Sequence, residues 1–78
     1  MDQNKINAWA ASVARFQNEK ERFYQTNGAS LRDHAAARSE MIRRGRRLLK
    51  DPMYGDRVRE DIKRVGLLRY FPSLHRSA

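Results

Sequence analysis

The sequence predicts an all-α fold: a small helical bundle or helical hairpin, with two longer antiparallel helices, a shorter third helix and an apolar C-terminal tail. The larger apolar residues recur with helical periodicity. Residues that favour helix caps or helix ends lie between the periodic segments. Only four Gly and two Pro occur in 78 residues, fewer than a loop-rich chain would have. This length allows one small domain, spanning residues 1–78.

The first helix is predicted over about residues 4–24. Its apolar seam has a spacing of three and four residues, with Lys20 in the one gap. Asp2 or Asn4 can cap its start, and Asn27-Gly28 favours a left-handed stop at its end. The seam is unusually aromatic and is interpreted as a core face rather than as an aromatic binding stripe. Its members are Ile6, Trp9, Val13, Phe16 and Phe23.

The second helix is predicted over about residues 31–50. Ser30 and Asp33 form a capping box, and Asp51-Pro52 ends the helix because the residue before Pro avoids the helical region. Arg38 lies at the centre of the predicted apolar side, and two interpretations are open: its head reaches water, or it pairs with a carboxylate. The apolar side comprises Leu31, His34, Ala35, Met41, Ile42, Gly45, Leu48 and Leu49.

The third helix is predicted over about residues 52–65, with Pro52 at its first position. Gly55-Asp56 allows an alternative, in which a turn comes first and the helix starts at Asp56. Gly66 is expected to stop the helix and to set Leu67 back against Ile62. Glu60 and Arg64 have the four-residue spacing of a helical ion pair.

The tail, residues 66–78, is rich in large apolar side chains. Two interpretations are open: these residues close the core of the protein itself, or they form the apolar contact with a partner. The residues concerned are Leu67, Leu68, Tyr70, Phe71 and Leu74.

Several functional classes are disfavoured by composition. Without Cys there is no disulfide, thiolate zinc site or Cys nucleophile. The two histidines, His34 and His75, lack the spacing of a two-His metal site, and there is no glycine-rich phosphate loop. We therefore expect no enzymatic activity, metal, cofactor or small-molecule substrate. No apolar run approaches a membrane span and the N-terminus lacks a secretory pattern, so we expect an intracellular location, cytoplasmic or organelle matrix, or a virion.

Basic residues dominate the charge, with 17 Lys and Arg against nine Asp and Glu, for a formal net charge of +8. Thirteen of the basic residues are Arg, whose planar fork suits phosphate and carboxylate. Residues 28–50 carry seven basic and two acidic groups, and most of these cations fall on one arc of the second helix, roughly 100° wide. The predicted binding residues are Arg32, Arg43, Arg44, Arg46, Arg47 and Lys50.

Two functions are consistent with this pattern. In the first, the Arg-rich face binds the phosphates of nucleic acid, RNA or DNA, without reading sequence, since no helix-turn-helix, zinc finger or basic zipper is present. In the second, the protein is a small subunit or inhibitor within a larger assembly, of phage, virion, ribosomal or respiratory type. There the Arg face would meet an acidic protein surface, and the aromatic seam or the tail would supply the apolar contact.

Overall fold

The computed structural model describes residues 3–25 and 31–76, and the fold within them is all-α, which confirms the predicted class. The helices are α1 (Gln3–Gln25), α2 (Leu31–Leu49), α3 (Gly55–Val65) and α4 (Pro72–Arg76), with a short 3₁₀ helix at Leu68–Tyr70. The two long helices match their predicted bounds closely. The predicted caps at Asp2 and Ser30 and the stop at Asn27-Gly28 lie outside the described residues, and Asn4 lies inside α1 rather than at a cap.

The chain divides into two compact units, Met1–Arg44 and Gly45–Ala78, here called unit 1 and unit 2. The prediction of a single domain over residues 1–78 stays a prediction.

In unit 1, α1 and α2 pack as an antiparallel pair. Arg22 lies 4.0 Å from the Asp33 carboxylate, and Arg15 lies 2.7 Å from that of Glu40, so residue numbers rise along α1 as they fall along α2. The unit buries the residues Ile6, Trp9, Ser12, Phe16, Ala37 and Met41.

The buried seam of α1 differs from the predicted one at three positions. Ser12 is buried, with its hydroxyl donating a hydrogen bond of 2.7 Å to the carbonyl of Trp9, whereas Val13 and Phe23 are only half-buried. A serine can occupy this position because its hydroxyl is satisfied by the preceding turn of its own helix.

The buried face of α2 is rotated from the predicted one. Ala37 and Met41 are buried, whereas Arg38 is exposed and Leu31 is 59% exposed. The prediction that Arg38 lies at the centre of the apolar side is therefore wrong. Since Ala37 and Arg38 are about 100° apart around a helix, burial of Ala37 turns the Arg38 side chain toward solvent.

In unit 2, a turn precedes α3, which begins at Gly55. The Asp51 carboxylate accepts hydrogen bonds from the N–H groups of Met53 (2.8 Å) and Tyr54 (3.2 Å), an Asx arrangement that keeps residues 52–54 out of the helix. The predicted start at Pro52 is therefore wrong, and the alternative of a turn before the helix is close to the observed start.

Gly55 is required by a close backbone approach. A Cβ at this position would lie 2.9 Å from the carbonyl oxygen of Leu49. That atom belongs to the backbone, so it cannot move aside as a flexible side chain could.

The end of α3 confirms the predicted stop at Gly66. Gly66 has φ +79°, and its N–H donates to the carbonyls of Ile62 and Lys63. The N–H of Leu67 donates to the carbonyl of Ile62 at 2.8 Å, which completes a Schellman motif, and both side chains are buried. Unit 2 also buries Leu48, Val58 and Phe71.

The ion pairs of α3 have three-residue spacing. Arg64 bonds to Asp61 at 3.0 Å rather than to Glu60, the predicted partner, and Arg59 bonds to Asp56 at 2.7 Å. Both pairs leave their arginines partly exposed. Each therefore contributes only about 0.3–0.5 kcal/mol to the free energy of unfolding.

Candidate functional site

Two predicted binding residues of unit 1, Arg32 and Arg43, have exposed side chains on α2. Neither guanidinium forms a hydrogen bond or an ion pair with another residue of the described chain. Each therefore presents an uncompensated positive charge to solvent.

Arg44 has a different environment from the other predicted binding residues. Its Nε donates to the Glu40 carboxylate at 3.2 Å, and Arg15 donates to the same carboxylate from α1 at 2.7 Å. The Arg44 side chain is 40% exposed. The charge of Arg44 is thus partly compensated by Glu40 of the same helix, whereas the contact between α1 and α2 is made by Arg15.

In unit 2, three exposed cations lie at the end of α2: Arg46 and Arg47 in its last turn, and Lys50 directly after it. No acidic side chain among the described residues forms an ion pair with any of them. The last turn of a helix has a partial negative charge, which stabilises cations there without neutralising them as a carboxylate would. These three residues form the densest group of uncompensated charge on α2, and we call them the α2 cation group.

A cleft of about 600 Å³ lies within unit 2, beside the α2 cation group. Arg46, Leu49 and Lys50 contribute from the end of α2, and Arg59 contributes from α3. The remaining lining residues come from the tail: Phe71, Pro72, Ser73 and Leu74. The cleft therefore combines cationic side chains with a mainly apolar surface.

The cations of the cleft are not equivalent. Arg59 is held by the Asp56 carboxylate at 2.7 Å, so part of its charge is compensated. Arg46 and Lys50 have no such partner among the described residues and are exposed. A bound anion would therefore be drawn chiefly toward the α2 side of the cleft.

The tail residues separate into two groups by burial. Leu67 and Phe71 are 4% and 1% exposed, so these two side chains are part of the core and are not offered on the surface for a partner. Leu68, Tyr70 and Leu74 are half-buried, and Leu74 lines the cleft. The interpretation that the tail closes the core therefore holds for Leu67 and Phe71. Leu74 keeps exposed surface that is available to a partner.

Sequence reasoning missed the cleft and four of its members, Leu49, Arg59, Pro72 and Ser73. Arg59 looks like one of several charges on a mixed helix, and Ser73 lies in a tail noted only for its apolar residues. No local pattern relates positions 46, 59 and 73, because only the folding of unit 2 brings them to one place.

Two further properties hold for the described residues, 3–25 and 31–76. No helix in these ranges combines the length and apolar character that crossing a membrane requires. The same residues contain no group of three or more His, Asp and Glu side chains placed to hold a metal ion.

Comparison of the chain with protein-family models, with curated proteins and with solved structures gives no significant match.

Proposed function

We propose that the protein binds nucleic acid through its phosphate backbone, without reading base sequence. The observation that carries the proposal is the α2 cation group, three exposed cations within five residues that no acidic side chain of the described residues neutralises. Fixed cations of this kind displace the counterions condensed on a polyanion, and the released ions supply the free energy of binding.

The spacing within α2 supports a backbone contact. Arg46 and Lys50 are four residues apart, which is about 6 Å along the helix axis at a rise of about 1.5 Å per residue. Cations repeated at intervals of about one turn match a ligand whose charges also repeat along its length. In unit 1, the exposed and uncompensated Arg32 and Arg43 add to the positive charge of the same helix.

The prevalence of Arg supports phosphate as the ligand group. Guanidinium presents paired N–H donors that meet two phosphate oxygens at once, and it is more weakly hydrated than ammonium. Since no base-reading motif occurs in the sequence, we expect the affinity to be nearly the same for unrelated sequences of one length.

The test is the salt dependence of binding to a random duplex. For contacts with about four to six phosphates, the logarithm of the binding constant should fall with the logarithm of salt concentration at a slope of about −3.5 to −5.5. The triple variant Arg46→Ala/Arg47→Ala/Lys50→Ala should reduce the magnitude of this slope by about 3, because each lost phosphate contact contributes about 0.9.

A matched triple variant controls for net charge. Arg57→Ala/Lys63→Ala/Arg69→Ala also removes three exposed cations of unit 2, but none of them lies on α2. It should leave the slope nearly unchanged. Equal effects of the two triple variants would contradict a localised face, and absence of binding near physiological salt would reject nucleic acid as the ligand.

A further inference from the structure

The cleft of unit 2 suggests which form of nucleic acid the protein prefers. Its volume, about 600 Å³, lies within the range of about 300–1,000 Å³ that is usual for sites that enclose a small organic group. A phosphate contact alone needs no such space, because a helix face is enough for it. Binding to the phosphate backbone of nucleic acid therefore does not account for the cleft.

The lining indicates a ligand with an apolar part beside an anionic one. Leu49, Leu74 and Pro72 supply apolar surface, and Ser73 is the one uncharged hydroxyl among the lining residues. Arg46 and Lys50 stand on the α2 side of the same cleft. A nucleotide has this composition, with a flat, weakly polar base joined through its sugar to a phosphate.

A base can enter the cleft only when it is not paired within a duplex. In a duplex the bases are stacked and paired, so their faces are covered and only their edges are exposed in the grooves. In a single strand the bases can splay out and lie against protein surfaces while the backbone follows a basic groove. The cleft therefore favours single strands over duplexes, whereas the α2 cation group alone can bind the phosphates of either.

We propose that the unit 2 cleft binds one unstacked base of single-stranded nucleic acid, with the adjoining phosphate held by Arg46 and Lys50. This inference rests on the proposed function and narrows it to a preference for single strands. The apolar lining can contact any base through its face, so the cleft adds affinity without adding strong sequence preference.

The decisive comparison uses three probes of equal length at one salt concentration: an oligothymidine of 12 nucleotides, a strand of 12 abasic units and a duplex of 12 base pairs. Fluorescence anisotropy gives the dissociation constant of each complex. We expect the oligothymidine to bind about tenfold more tightly than the abasic strand, because removing about 55 Å² of apolar base surface from water, at about 25 cal/mol per Å², corresponds to about this factor. The abasic strand tests the phosphate contacts alone.

Leu74→Ala tests the cleft, with Leu68→Ala as its matched control. Both leucines belong to the tail and are half-buried, but only Leu74 lines the cleft. Leu74→Ala should lower the ratio of oligothymidine to abasic affinity to about two or less and leave abasic binding unchanged. Leu68→Ala should preserve the ratio, and circular dichroism establishes that both variants remain folded.

A second measurement needs no variant. Methyl resonances of Leu49 and Leu74 should shift on titration with oligothymidine and remain in place on titration with the abasic strand. Leucine methyl groups outside the cleft, those of Leu68 for example, should respond equally weakly to both probes. This result would support the cleft even if Leu74→Ala failed to fold.

Each contrary outcome has a distinct meaning. Equal binding of the oligothymidine and the abasic strand, with a steep salt dependence, would overturn the base site and leave the proposed function standing. Failure of every nucleic acid probe near physiological salt would overturn both. If a peptide of alternating Glu and Leu then bound, and Leu74→Ala weakened it, the cleft would belong to an acidic protein partner.

Discussion

At the scale of single residues, His34 has an environment that is unusual for a polar side chain. Its ring stacks between Phe16 and Phe23, with centroid distances of 5.6 and 5.1 Å and interplanar angles of 20° and 23°. Its Nε2 is buried and has no hydrogen-bond partner among the described residues. A buried polar atom without a partner costs about 1–3 kcal/mol, whereas each aromatic contact contributes about 0.5–1.5 kcal/mol.

Replacing His34 by Phe should stabilise the protein by about 1 kcal/mol, because the ring contacts remain and the unpartnered nitrogen is removed. The melting temperature should rise by about 4–8 °C, the shift that 1 kcal/mol produces in a domain of this size. Thermal unfolding followed by circular dichroism measures the change. His34→Ala, which removes the ring as well, should lower the melting temperature, and a decrease for His34→Phe would show that Nε2 has a partner in solution.

At the scale of helices, the end of α3 offers a position where the free-energy cost of a left-handed backbone conformation can be measured without a steric clash. Gly66 has φ +79°, and a Cβ at this position would meet no atom within 4 Å. A side chain here would therefore introduce no clash, only the cost of the left-handed conformation. This contrasts with Gly55, where the carbonyl oxygen of Leu49 would be 2.9 Å from a Cβ.

Gly66→Ala should destabilise the protein by about 1–2 kcal/mol, the cost of placing a Cβ in the left-handed region. Gly66→Asn should cost less, because Asn adopts this conformation more readily. Urea unfolding of the three proteins gives the free energy differences. Equal losses for Ala and Asn would contradict a purely conformational origin.

Several features of the helices were predictable from sequence. The bounds of α1 and α2 followed from apolar periodicity, and the end of α3 followed from Gly66. The start of α3 was predicted three residues too early, because Pro52 is acceptable both in a first helical turn and in a turn before a helix. The choice depended on the Asp51 carboxylate, which bonds to the N–H groups of Met53 and Tyr54.

At the scale of the whole molecule, basic charge is distributed unequally between the two units. Unit 2 carries nine Lys and Arg against four Asp and Glu, and unit 1 carries eight against five. Unit 2 also holds the buried tail residues Leu67 and Phe71. Full burial of one large apolar side chain contributes about 1.5–3 kcal/mol, a large share of the stability of a small domain.

A chain ending at Gly66 should therefore lose cooperative unfolding or melt at a much lower temperature. The cause would be the loss of the Leu67 and Phe71 side chains from the core. A chain ending at Arg76, which keeps both residues, serves as the control and should melt as the full chain does. Calorimetry distinguishes the outcomes. An unchanged melting temperature after truncation at Gly66, with weaker partner binding, would instead assign the tail to a docking role.

By itself, the sequence determined the helical class, most helix bounds and the positions of the exposed cations Arg32, Arg43, Arg46, Arg47 and Lys50. These features depend on residues near one another in the chain, through periodicity, capping and backbone preference. They could therefore be inferred without knowledge of packing.

Only the tertiary structure shows which face of α2 is buried and that a cleft forms in unit 2. Burial of Ala37 rather than Arg38 was not predictable, because an Ala methyl gives only a weak hydrophobic signal and the choice depends on packing against α1. The contact of Arg15 in α1 with the Glu40 carboxylate of α2, at 2.7 Å, likewise joins residues 25 positions apart and has no local sequence signal. The cleft joins residues from positions 46 to 74, and such non-local contacts leave no periodic trace in the sequence.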